Sequence, residues 1–173
     1  MEIIDLYNYN RELTNETVER TNNLPKDRYR LVVHACIFND KNEMLIQQRS
    51  STKKTWPNLW DISVGGGSVS GETSLDAIRR EVLEEVGLNI NDLVEPYSVS
   101  INYGIGFDDT YIIHTNLPLE SFKMQDGEVQ QIKWATKEEI INLIENKKFI
   151  NYKKSYIEFI FESLDFKGAL KND

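Results

Sequence analysis

The chain of 173 residues has a single cysteine, Cys36, so no intrachain disulfide can form. Cys36 lies in LVVHACIF, a run that reads as a buried strand, where a thiol serves as a small apolar side chain rather than a nucleophile. Only two histidines occur, His34 and His114, too few for a histidine-rich metal site. Positive charge is scarce. Against 28 Asp and Glu stand 20 Lys and Arg, a net charge of −8. That balance argues against a protein that grips a nucleic-acid polymer, which calls for a basic surface. It still allows a small anionic ligand, received by a local cationic patch or a metal ion. Long apolar runs are missing too. The opening MEIIDLYNYN carries acids early, so neither a signal peptide nor a membrane span is expected, and the default location is cytoplasmic.

What is present reads as one domain with a real core, at 40% hydrophobic residues. EIIDLYNYNRELT predicts a small N-terminal hairpin, and TNNLPKD a loop. YRLVVHACIFND is rich in β-branched and aromatic residues and predicts a strand. KNEMLIQQRS is expected to pair back on it as a hairpin. SSTKKTWPNLWD reads as a polar loop and ISVGGG as a short strand ending in glycine. LVEPYSVSINYG, DDTYIIHTNL and VQQIKWAT supply three further strands.

Residues from about Ser74 to Val86 predict a helix, with Thr73 as N-cap, Asp76 in the first turn and Gly87 as a left-handed stop. A second helix in TKEEIINLIENKKF starts with a capping box, Thr136 and Glu139. KKSYIEFIFESLDF predicts a third. Its aromatic stretch is either a core element or an interface, so a homodimer stays open. The pattern is α+β: a mixed sheet with helices packed outside it.

The first helix carries the chemistry. At 100° per residue, Leu75, Ile78, Val82 and Val86 form its buried stripe. Glu81, Glu84 and Glu85, spaced i, i+3 and i+4, share a neighbouring face and repel one another. Arg80 offsets one charge. A divalent cation is the natural remedy, and all-oxygen ligands suit Mg²⁺ or Mn²⁺ shared with substrate phosphates. A turn of Gly65, Gly66 and Gly67 is expected to let the main chain approach that ion and offer a carbonyl. The alternative is a solvated acidic helix face.

The spacing decides between the two. Gly66, five residues, Glu72, seven residues, then Arg80-Glu81-Val82-Leu83-Glu84-Glu85-Val86-Gly87-Leu88 resembles the Nudix box without departure. Chance agreement is on the order of one in 10⁸ per window. The resemblance implies an α/β/α sandwich around a mixed sheet: a single Nudix domain over 1–173, with an N-terminal hairpin and loop over 1–29, the core over 30–145 and a C-terminal helix over 146–173. It also implies a Mg²⁺-dependent hydrolase that cleaves a diphosphate linked to another moiety, with small-molecule diphosphates as partners. Carried over by position, Gly66, Glu81, Glu84 and Glu85 would ligate metal, Arg80 would hold the glutamates, and Glu72 would brace the loop or touch metal through water. Glu81 is the first candidate for general base. Glu128, Asp108 and Asp109 are candidates outside the box.

A narrower resemblance joins LIQQRSSTKKTWPNLWDISVGGGSVSGE to the Nudix branch related to type 1 isopentenyl-diphosphate isomerase. It implies that Arg49, Lys53 and Lys54 meet substrate phosphate, and that Trp56 and Trp60 could wall the pocket. The isomerases use a cysteine where this chain has Gly65, and they depart from the box at its acidic helix, so hydrolase is favoured. A non-catalytic nucleotide sensor is the third reading, and the intact box argues against it. The proline expected of ADP-ribose hydrolases is missing near Tyr103, and the coenzyme A pattern is matched only in part. Nucleoside diphosphate derivatives are therefore the expected substrates.

Overall fold

The computed structural model describes residues 2–20, 23–91 and 97–165. The opening residues of the strand expected in LVEPYSVSINYG, the first two residues of the TNNLPKD loop and the end of the C-terminal segment lie outside them. The elements run β1 (Ile3–Tyr7), β2 (Leu13–Glu19), β3 (Arg30–Phe38), β4 (Met44–Arg49), β5 (Trp60–Asp61), β6 (Val64–Gly67), α1 (Ser74–Val86), β7 (Tyr97–Tyr103), β8 (Gly106–His114), β9 (Val129–Ala135), α2 (Lys137–Glu145) and α3 (Lys154–Glu162). β1 and β2 form a separate hairpin. The other seven strands make one mixed sheet, in which β3 runs parallel to β8 and its other ladders are antiparallel.

The strand period of two builds the sandwich. Val33, Ala35 and Ile37 point to one side of β3, where they join Leu45, Tyr111, Ile113 and the α1 residues Ala77, Ile78, Val82 and Val86. Cys36 and Phe38 point to the other, where they meet Met44, Ile46, Ile112, Ile140 and Ile144 of α2, and Ile157 and Ile160 of α3. Both faces are covered, which is why LVVHACIF is apolar at every position but His34 rather than alternating. Each fully buried Ile or Val contributes about 1.5–3 kcal/mol to this packing. The aromatic C-terminal helix is thus a core element. Burial pushes the Cys36 thiol far above its ordinary range, so it is inert.

Two expectations are corrected. β4 does not zip along β3: the two strands pair only at Phe38 and Met44, beside their turn. From there β4 runs with β9 and β5, while β6 takes over the edge of β3 through Val32–Ala35. Ser63 sits at the fork. Its buried hydroxyl accepts from the Ile37 amide at 2.8 Å and donates to the Leu45 carbonyl at 2.5 Å, so neither separated strand leaves an orphaned group there. The second correction concerns the glycines. Gly65, Gly66 and Gly67 form no turn; they lie in β6, paired with His34, Val33 and Val32.

Asp108 and Asp109 lie inside β8. Asp109 is buried and anchors the N-terminal hairpin. It accepts from Arg11 in a forked pair, from Ser74 at 2.5 Å and from Ser100 at 2.5 Å. Arg11 holds its carboxyl below the ordinary range despite burial, which pushes the other way. Asp109→Ala is expected to cost about 2 kcal/mol in urea denaturation, because Arg11, Ser74 and Ser100 lose their acceptor together. A change below about 0.5 kcal/mol would remove this residue as the hairpin's anchor.

Candidate active site

α1 is set by its ends and its apolar stripe. Thr73 and Asp76 cap it reciprocally, and Gly87, at φ 69°, stops it while its amide reaches Leu83 and Val82 carbonyls. Burial of Ile78, Val82 and Val86 against the sheet turns Glu81 and Glu85 inward, toward β6. The glycines of β6 make that approach possible. A Cβ on Gly66 would stand inside the Glu81 carboxylate, and one on Gly67 would collide with the Arg20 guanidinium. None of the three has a positive φ, so what they supply is space.

Arg80 is the hub. Its Nε and Nη2 donate to Glu72 at 2.7 and 3.0 Å, and its Nη1 to Glu81 at 2.9 Å and to Glu84 at 3.2 Å. Nη2 also reaches the Gly67 carbonyl at 3.1 Å. Glu72 accepts the Val69 amide at 3.0 Å, which fixes the loop between β6 and α1. Glu85 stands apart from this fork, taking Gln47 Nε2 at 2.8 Å and a Gly65 backbone hydrogen bond. Burial, with the charges of Glu81 and Asp61, pushes its carboxyl up to about 7. Burial also raises Glu81, against the pull of Arg80. Among the described residues no three carboxylate, imidazole or thiol groups converge closely enough to hold an ion as they stand. Arg80 draws Glu81 and Glu84 to one side, and Gln47 holds Glu85 on the other.

These groups open into a cleft of about 740 Å³. Gly66, Arg80, Glu81, Glu84 and Glu85 line it, together with Arg49, Lys53, Lys54 and Glu128. Arg49, at the end of β4, points its guanidinium at the Thr55 carbonyl, 3.2 Å away, and at the buried Asp61, 3.4 Å away. Lys53 pairs with Glu128 across the mouth. Glu72 is joined to the cleft through Arg80. Asp108 and Asp109 line neither this cleft nor its side chamber, and both are committed elsewhere: Asp108 to His34 at 2.8 Å, Asp109 to Arg11. Trp56 lines the cleft from a left-handed position, φ 50°, whereas Lys133 covers the ring of Trp60 at 5.2 Å.

Sequence reasoning missed several lining groups. Arg20, Arg30, Glu2 and Gln125 all border the cleft. A side chamber of about 170 Å³ adds His34, Asp61 and Tyr152, whose hydroxyl donates to Asp61 at 2.9 Å. Asp61 had a signal, an acid flanked by the apolar Trp60 and Ile62. Arg20 had none, since it lies far from the box in sequence.

The raised carboxyl of Glu85 makes a stability prediction for the metal-free protein. An acid whose pKa is higher folded than unfolded binds more protons in the native state, so stability falls as pH rises from about 4.5 to about 7. Thermal melts in chelator should show that slope, and Glu85→Gln should flatten it. An identical slope in the variant would reject Glu85 as its source.

A family model described as the NUDIX domain matches residues 28–159. An uncharacterized Nudix hydrolase of Listeria innocua is 41% identical over 88% of this chain and 90% of its own. A Corynebacterium glutamicum protein named isopentenyl-diphosphate Delta-isomerase is 28% identical over 66% of each chain. A Deinococcus radiodurans protein of known crystal structure superposes with a TM-score of 0.73 at 27% identity, covering 92% of this chain and 97% of that one. With a family match over most of its length and a named Nudix hydrolase of nearly its own extent among its relatives, the chain belongs to the Nudix hydrolase family.

Proposed function

We propose that the cleft hydrolyses the diphosphate bond of a nucleoside diphosphate linked to another moiety, with Mg²⁺, or Mn²⁺ in its place, as the required cation. One observation carries this reading: a single cleft joins the oxygen donors of α1 and β6 to the cationic side chains Arg49, Lys53 and Lys54. The donor set fits a hard divalent ion. Glu81, Glu84, Glu85 and the Gly66 carbonyl offer oxygen only. The two buried carboxyls, Glu81 and Glu85, are both pushed upward by burial, the state a cation relieves. The bare Gly66 backbone leaves room beside Glu81 that any side chain would fill.

When bound, such a cation neutralises phosphate charge and acidifies a water it holds. The protein's own groups do the rest. Arg49, Lys53 and Lys54 receive the phosphates, Arg with a planar fork and Lys as point charges. Glu81 takes the proton from the attacking water, and Glu128, on the cleft wall, is the alternative acceptor. Arg80 and Glu72 hold the carboxylates and the loop in register.

The isomerase reading requires a cysteine at the place of Gly65. A Cβ there would stand 2.5 Å from the His34 ring, so the position has no room for one unless His34 moves.

The test is Mg²⁺-dependent product formation from nucleotide sugars, dinucleoside polyphosphates, ADP-ribose, nucleoside triphosphates, coenzyme A and isopentenyl diphosphate. Hydrolysis of one of them should vanish in EDTA and fall by about 100-fold or more in Glu85→Gln. Turnover indifferent to chelator, or wild-type turnover in Glu85→Gln, would sink the proposal. Arg49→Ala should raise KM for that substrate about tenfold, and unchanged kinetics would put Arg49 outside the site.

A further inference from the structure

Arg20 lies outside residues 28–159, the part of the chain that the family model matches. It follows the last residue of β2, and the hairpin carrying it is fastened at several points. Its own amide donates to the Glu2 carbonyl at 2.9 Å. Asp5 accepts from the Ser70 hydroxyl at 2.6 Å and the Gly71 amide at 2.8 Å, both on the loop that Glu72 and Arg80 hold. The Ser70 amide donates to the Ile3 carbonyl at 2.8 Å. Tyr7 and Tyr29 exchange backbone hydrogen bonds at 2.8 and 2.9 Å, and Arg11 reaches Asp109. A hairpin tied to that loop, to the chain before β3 and to β8 holds Arg20 in a defined place.

That place is the cleft wall. The guanidinium lies against Gly67, in space only a glycine leaves open, and it borders both the main cleft and the side chamber. Its ion-pair partner is Glu2, at 2.5 Å, itself a lining residue with about half its side chain exposed. An exposed pair of this kind is worth little, so an incoming anion can displace it.

We propose that Arg20 is a substrate-binding residue, which releases Glu2 and takes a phosphate oxygen of the diphosphate. This rests on the cleft being a diphosphate site, as proposed above. It makes the N-terminal hairpin a wall of the active site rather than an appendage to it.

The experiment is calorimetric binding of methylenediphosphonate, whose P–C–P bridge resists hydrolysis, in Mg²⁺, to wild type, Arg20→Ala and Glu2→Gln. Arg20→Ala should weaken Kd about tenfold. Glu2→Gln should tighten it several-fold, because it frees the guanidinium and removes a negative charge from the cleft. If Arg20 is only a strut between the hairpin strands, both variants lose the same ion pair and shift together, which overturns the proposal even where Arg20→Ala weakens binding by loosening the fold. Unchanged Kd in Arg20→Ala overturns it too. Failure of the wild type to bind any diphosphonate would overturn the diphosphate reading itself, and this one with it.

Discussion

The site depends on one guanidinium. Arg80 joins α1 to the loop through Glu72 and to β6 through the Gly67 carbonyl, while holding Glu81 and Glu84 on its own helix. Without it, two acids one turn apart on a helix would repel each other, and the loop carrying Glu72 would lose its anchor. A lysine offers a point charge where five directed donors are used, so it could not span the same partners. Packing dictates where this hub can stand. Ile78, Val82 and Val86 press α1 onto the sheet, and the residues just off that stripe face the glycine strand.

How legible this was depends on how local the cause is. α1 was read to the residue, because its cap, stripe and stop are all written within it. The capping box of α2 was legible for the same reason. The box spacing identified the family because the chemistry demands particular residues at particular steps. The glycines were legible as necessary but not in kind. Positive φ and close approach both call for glycine, and only the position of Glu81 and Arg20 across from β6 shows which applies. The partner of β4 was illegible, since a short connection suggests a hairpin and nothing nearby records that β6 arrives to displace it. Asp109 was legible as a candidate base but not as an anchor, because Arg11, its partner, is far away along the chain.

Charge is divided unevenly, and an acidic protein gathers cationic side chains around its cleft. The chain carries −8 overall, yet Arg20, Arg30, Arg49, Lys53, Lys54 and Arg80 all border one cleft. These side chains offset Glu2, Glu81, Glu84, Glu85 and Glu128, which line the same cleft. Within the cleft the ionisable groups differ in depth. Glu81 and Glu85 are buried against β6, whereas the Lys53–Glu128 pair lies at the more exposed mouth.

The bond from Tyr152 to Asp61 has a consequence in time. The hydroxyl partner of Asp61 arrives 91 residues later in the sequence. On the ribosome the box helix and glycine strand emerge long before Tyr152, so the buried carboxylate of the side chamber must wait for its partner while synthesis proceeds. A nascent chain therefore holds every box residue before it holds a finished chamber, and the site's chemistry is spelled out ahead of its shape.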